Sequence, residues 1–195
     1  MKKLSLLMLA IALLMGIVSG TAAAQAAPAA GVGDNSVYFV SYFSNNVAAA
    51  PDATVRFIND GDTGGNLWAA FYVFDDSQEL TECCACLITP DGLLSESVKS
   101  NLTASPLTGK VPTRGVIKVI SSSSNDPTNV TPVAGLRGWA THIQGPTKNV
   151  YSITETLFAD SNLAIAERTL LDNLCYYDAL LSGLPCTCTP EDHDF

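Results

Sequence analysis

The residues of this 195-residue chain with the most chemistry in their spacing are its six cysteines. Three crowd into Glu82-Cys83-Cys84-Ala85-Cys86-Leu87, and the others are Cys175, Cys186 and Cys188, the last two in a Cys-Thr-Cys step. Such a set can hold a soft metal, exchange electrons or cross-link the chain. Zinc sites favour Cys-x2-4-Cys spacing, whereas here the pattern is Cys-Cys-x-Cys and Cys-x-Cys, with His193 as the next ligand along; copper(I) would also accept thiolates. A redox pair is expected as Cys-x-x-Cys beside a βαβ unit, and the sequence has neither.

The compartment favours cross-links. Met1-Lys2-Lys3 precedes an apolar run from Leu4 to Val18 and then Ala-rich small residues. A basic start, an apolar stretch of about fifteen residues and an Ala-x-Ala step make a signal peptide rather than a span, which needs about 20. Residues 1–26 are expected to be removed after Ala26, or alternatively after Ala24, delivering a bacterial-type protein to the periplasm or cell exterior. There an even number of cysteines reads as a disulfide framework. Adjacent cysteines rarely bridge each other, so the 83/84/86 cluster is expected to pair with 175/186/188. Alternation on a strand turns Cys84 and Cys86 to one face and Cys83 to the other. Cys84 and Cys86 then face the Cys186–Cys188 segment, in either order, while Cys83 reaches Cys175. Each bridge would close about 90–105 residues, worth about 4–5 kcal/mol in the chain-entropy model, and the three would not add.

The elements that must position these residues are mainly β. Residues 27–34 read as a flexible arm, and residues 35–195 as one β-sandwich-like domain. Short apolar or alternating runs divided by turn residues predict about eight strands: 36–43, 53–58, 66–74, 79–88, 93–102, 115–120, 136–143 and 150–158. Asn66 to Phe74 is apolar on both faces and should be central. Leu163, Ala166, Leu170, Leu174, Tyr177 and Leu181 recur at helical steps, predicting an amphipathic helix over about 161–182. Asp160 or Ser161 would cap it and Gly183 and Pro185 would end it. Cys175 would clamp this helix to the cysteine strand, and the Cys-x-Cys tail would be tied to the same strand.

Other candidate chemistry is thinner. The chain has 10 cationic and 19 acidic residues, a net charge of −9, or −11 once Lys2 and Lys3 leave with the signal peptide. Such a surface repels nucleic acid and anionic lipid, and no segment of the mature chain is apolar for long enough to span a membrane. No nucleophile elbow or phosphate loop is present. His142 reads as a packed strand histidine. Asp60, Asp62 and Asn66, in a Gly-rich turn, offer oxygen ligands for calcium, although the same residues serve ordinary turns; no other cofactor is expected. Trp139, outward-facing on its strand beside Arg137, is the best aromatic platform for an extracellular ligand such as a carbohydrate.

The runs YVFDDSQELTECCACLITPDGLLSESV, NLTASPLTGKVPTRGVIKVISS and LRGWATHIQ, with the Cys-Thr-Cys end, resemble a family of uncharacterised secreted bacterial proteins, from about Val55 to Cys188. The resemblance implies export and a cysteine framework but no activity. Members carry an extra cysteine near Trp68 and another in the Ser121–Asp126 loop; both are absent here, which fits a dispensable disulfide better than a metal cluster.

The resulting expectation is an exported, non-enzymatic structural or surface-interaction protein, in its sharper form a subunit of an extracellular filament or matrix. It would self-associate through sheet edges or through the N-terminal arm. A carbohydrate- or surface-ligand-binding module and a metal-binding or thiol-redox protein are the alternatives.

Overall fold

The computed structural model describes residues 36–145, 150–182 and 186–188. The expected signal peptide (1–26), the arm (27–34), the helix stop at Gly183 and Pro185, and His193 lie outside the described residues.

Nine strands and one helix are present among the described residues: β1 (Tyr38–Phe43), β2 (Thr54–Asn59), β3 (Leu67–Asp75), β4 (Leu80–Ile88), β5 (Leu93–Ser97), β6 (Gly115–Ser122), β7 (Leu136–Ile143), β8 (Ile153–Leu157), β9 (Ala159–Asp160) and α1 (Ile165–Ser182). They build two antiparallel sheets, A in the order β4-β3-β6-β1-β9 and B in the order β5-β2-β7-β8. The mainly β, disulfide-stapled sandwich with a C-terminal helix is therefore the observed architecture.

Alternation explains the layers. On β3, Leu67, Ala69, Phe71 and Val73 join the core between the sheets, while Ala70, Tyr72 and Phe74 join a second core beneath α1. This is why that strand is apolar on both faces, and it lies inside sheet A between β4 and β6. In the inter-sheet core, the Phe57 ring meets those of Phe39, Phe71 and Phe158 at centroid distances of 5.9, 5.7 and 4.9 Å. Gly138 on β7 makes room for it: a Cβ there would lie 2.3 Å from the ring.

Three boundaries differ from the sequence expectation. The run 150–158 yields only β8, and a separate two-residue strand follows just past it, because Ala159 and Asp160 pair with Val40 and Phe39 along the edge of β1. The Ser161 amide extends that pairing by donating to the Tyr38 carbonyl. Neither Asp160 nor Ser161 is thus a helix cap, and α1 begins at Ile165 rather than near 161. The run 93–102 stops at Ser97, where the Asn101 side chain accepts the Ser97 amide and turns the chain.

α1 also presents a different face. The buried residues are Leu171, Cys175 and Asp178, whereas Leu170, Tyr177 and Leu181 of the expected inner stripe point to solvent. The helix is rotated by about one residue, or ~100°, from the face its hydrophobicity predicts.

Candidate functional site

All six cysteines converge on β4. Cys83 is bonded to Cys175, Cys84 to Cys186 and Cys86 to Cys188, with Cα separations of 5.8, 5.2 and 5.4 Å. These separations fall in the ordinary disulfide range. The two bridges of the Cys-Thr-Cys tail run in sequence order, the point that alternation left open. Cys83 lies in the core under α1, and Cys84 and Cys86 lie in the core between the sheets. One strand is therefore stapled in opposite directions, to the helix on one side and to the tail on the other. The tail and the loop after β5 together cover the free edge of β4: the Cys186 amide donates to the Cys83 carbonyl, and the Leu107 amide of that loop to the Thr81 carbonyl. Disulfides of this kind persist in oxidising surroundings. Among the described residues, no helix is long and apolar enough to cross a membrane.

The bridges of Cys84 and Cys86 are neighbours, with their sulfurs 3.8 Å apart. The sulfurs of Cys84, Cys86 and Cys188 all lie within 4.8 Å of one another. Paired as disulfides they have no thiolate to offer; reduced, they would form a compact soft-ligand cluster.

Acids are buried on both faces of β4, Glu82 with Val73 on the inter-sheet face and Asp178 toward α1, which the sequence did not reveal. Glu82, 1% exposed, accepts the Ser105 amide at 2.6 Å through Oε1. Burial pushes its carboxyl up to about 7; the Ser105 amide opposes this, and the nearby Asp178 adds to it. Asp178 is buried too, with Oδ2 3.5 Å from the Cys83 sulfur. Burial also raises the Asp172 carboxyl, although Arg168 lies 3.5 Å away. Burial works against ionised Glu167 as well, but Lys118 at 2.6 Å and the Tyr38 hydroxyl at 2.9 Å prevail and hold it below the usual range. A carboxyl near 7 suits a general acid or base, yet Glu82 is sealed from solvent. Cys175 was the available signal: taking it as the centre of the inner face places Leu171, Asp178 and Arg168 inward.

The remaining candidates are dispersed. Trp139 and Arg137 alternate with buried Gly138 and Ala140 and lie half-buried on the outer face of sheet B, where Trp139 stands opposite Arg56 and Leu157. Arg137 reaches Asp60 Oδ2 at 3.5 Å. Of the calcium candidates, Asp60 is thus engaged by a guanidinium and also accepts the Asp62 amide; Asp62 and Asn66 are exposed. The neighbouring Asn59 closes the turn itself, accepting the Gly61 amide and donating to the Gly65 carbonyl. His142 is buried, stacked on Tyr42 at 4.2 Å with Nε2 2.8 Å from the Thr156 hydroxyl, and burial lowers its pKa.

No protein-family model and no curated protein matches the chain. Among solved structures, the crystal structure of Thermotoga maritima 1070 is similar, with a TM-score of 0.44 and 13% identity, covering 66% of this chain and 96% of that one. So distant a likeness carries no statement about activity.

Proposed function

We propose that this chain is an exported, non-enzymatic structural or surface-interaction protein whose residues 1–26 are a signal peptide. The observation that carries the reading is the placement of the cysteines: all six lie in three cross-links that fix α1 and the tail to β4. Closing such long loops removes conformations from the unfolded chain and suits persistence outside the cell. What the fixed helix then presents to solvent is apolar, as expected of a surface that meets a partner. A filament or matrix subunit is the sharper form of this reading.

The test is native mass spectrometry of protein exported by its own leader and purified without reductant or chelator, then alkylation after denaturation. The expected result is a chain starting at Ala27, six unreactive cysteines and no bound metal. Free thiols or a bound metal ion would overturn the structural reading.

A second reading, metal binding or thiol redox, draws on the gathered sulfurs of Cys84, Cys86 and Cys188. It expects that mild anaerobic reduction opens these bridges while the sandwich stays folded, and that one zinc or copper(I) ion then binds per chain. Resistance to reduction until global unfolding would remove it.

A further inference from the structure

Helix α1 is inverted relative to an ordinary surface helix, which turns its charges outward. Its four charged residues, Glu167, Arg168, Asp172 and Asp178, lie on the side packed against sheet A. Glu167 meets Lys118 and Tyr38, Arg168 bonds the Val130 carbonyl, and Asp178 lies against Cys83. The solvent side carries no charge at all. There Ile165, Leu170, Tyr176, Tyr177, Leu180 and Leu181 are exposed, from 49% at Leu170 to 86% at Ile165.

The arrangement of that face has a centre. At 100° per residue, Asn173 lies about 160° round the helix from buried Cys175, and it falls at the middle of the span Ile165–Ser182. Ala166, Leu170, Asn173, Tyr177 and Leu180 follow alternating steps of four and three, the spacing of a helix–helix seam. A polar Asn within an apolar seam is a known device for fixing register at some expense of stability.

We propose that the outward face of α1 pairs antiparallel with α1 of a second copy of this chain, about a two-fold axis passing beside Asn173. This rests on the interaction-protein reading above and names the partner. In an isologous contact, residue i meets j and j meets i. With Asn173 on the axis and each residue kept on its own flank of the seam, Tyr177 opposes Leu170, Tyr176 opposes Thr169, Leu180 opposes Ile165 and Leu181 opposes Ala166. Large side chains thus meet small or apolar ones, and no charge meets its like.

The area is adequate. At about 200 Å² for a fully exposed large side chain, the exposed parts of the six apolar residues amount to roughly 750 Å². A standard stable interface takes about 800 Å² from each partner. The patch also continues past Leu181 to Pro106, Leu107 and Val111 of the adjoining loop. A lipid surface is a poorer fit: α1 has one cationic residue, Arg168, spent on the Val130 carbonyl, and interfacial helices carry Lys and Arg on their polar face. The acidity that repels anionic lipid would weaken pairing of two copies as well, but the seam itself is neutral.

The experiment is sedimentation equilibrium of the oxidised full chain, with its three disulfides verified by peptide mapping in every sample. The wild type is expected to dimerise, and Tyr177→Glu with Leu180→Glu to weaken the dimer at least 100-fold. Asn173→Cys should form a symmetric intermolecular disulfide under mild oxidation, at least tenfold faster than a cysteine placed at Ser95 on sheet B. A wild type that is monomeric at about 100 µM, above the micromolar weak end for interfaces of this size, would overturn the proposal. So would a dimer untouched by the double variant, equal cross-linking from both engineered cysteines, or a monomer that floats with neutral phospholipid vesicles. Each of these with three intact disulfides rejects the pairing alone; loss of the native disulfides or a bound metal rejects the functional reading beneath it.

Discussion

The two sides of sheet A hold their neighbours by different physics. Toward sheet B the contact is apolar and aromatic, with Phe57 at the meeting point of three other rings. Toward α1 it mixes Tyr72, Ile120 and Leu171 with the Cys83–Cys175 bridge and with an acid kept from water, Asp178. Burial of apolar area holds the first pair of layers together, and the two bridges in that core, Cys84–Cys186 and Cys86–Cys188, tie down the tail rather than one sheet to the other. The second needs a covalent tie, because a desolvated carboxyl opposes docking and the best apolar residues of the helix face away. Of the three bridges, Cys83–Cys175 thus crosses the contact where hydrophobic burial alone is weakest.

Breaking the aromatic side should have the largest effect. Phe57→Ala should lower global stability by about 3–5 kcal/mol, seen as a cooperative loss of denaturation midpoint reported equally by both sheets. A drop below about 1 kcal/mol would mean that the inter-sheet core is redundant at its centre. Removing the covalent tie, with Cys83→Ala and Cys175→Ala together, should cost about 2–4 kcal/mol and act unevenly. Hydrogen exchange should accelerate through Ile165–Ser182 while β2 and β7 keep their protection; uniform acceleration would show that the helix layer and the sandwich form one cooperative unit.

A pH dependence enters from the inter-sheet side, where Glu82 stands opposite Val73. Glu82 titrates higher folded than unfolded, moving from 4.5 to about 7, so the fold favours its protonated form. Its contribution is fully present below about pH 4.5 and is lost as pH rises through about 7. Glu82→Gln should therefore stabilise the protein at pH 8 by about 1–3 kcal/mol and change little at pH 4.5, read from paired denaturation curves. His142 should act with the opposite sign and less strongly. Its pKa is lowered in the fold, so the unfolded chain takes up the proton first, and stability falls as pH drops below about 6.5. His142→Gln should flatten that acid limb without altering the alkaline one.

How much of this was legible in the sequence depended on whether the local pattern or the tertiary context decided the outcome. The pairing of Cys83 with Cys175 and of the Cys84/Cys86 pair with the tail followed from strand alternation, because on β4 alternation is a backbone property. The central place of β3 was legible for the same reason: a strand apolar on both faces has to be covered on both. The rotation of α1 was not, since hydrophobicity marks which side of a helix avoids water but not whether sheet A or another molecule supplies the cover. The start of α1 was missed because Ser161, a good cap in isolation, instead gives its amide to the Tyr38 carbonyl. Buried Glu82 and Asp178 were invisible for want of any signal: nothing local distinguishes a buried carboxyl from one in a turn, such as Asp76.

The bridge spacing has a kinetic side. Each disulfide joins residues 92 or 102 positions apart, so an N-terminus-first chain presents Cys83, Cys84 and Cys86 to oxidants long before Cys175, Cys186 or Cys188 emerges. Cysteines oxidised in order of appearance would become trapped in wrong pairs, and reaching the native set then requires reshuffling through mixed disulfides. Maturation of this protein should accordingly be paced by the arrival of Cys175, Cys186 and Cys188 and by disulfide reshuffling rather than by oxidation alone.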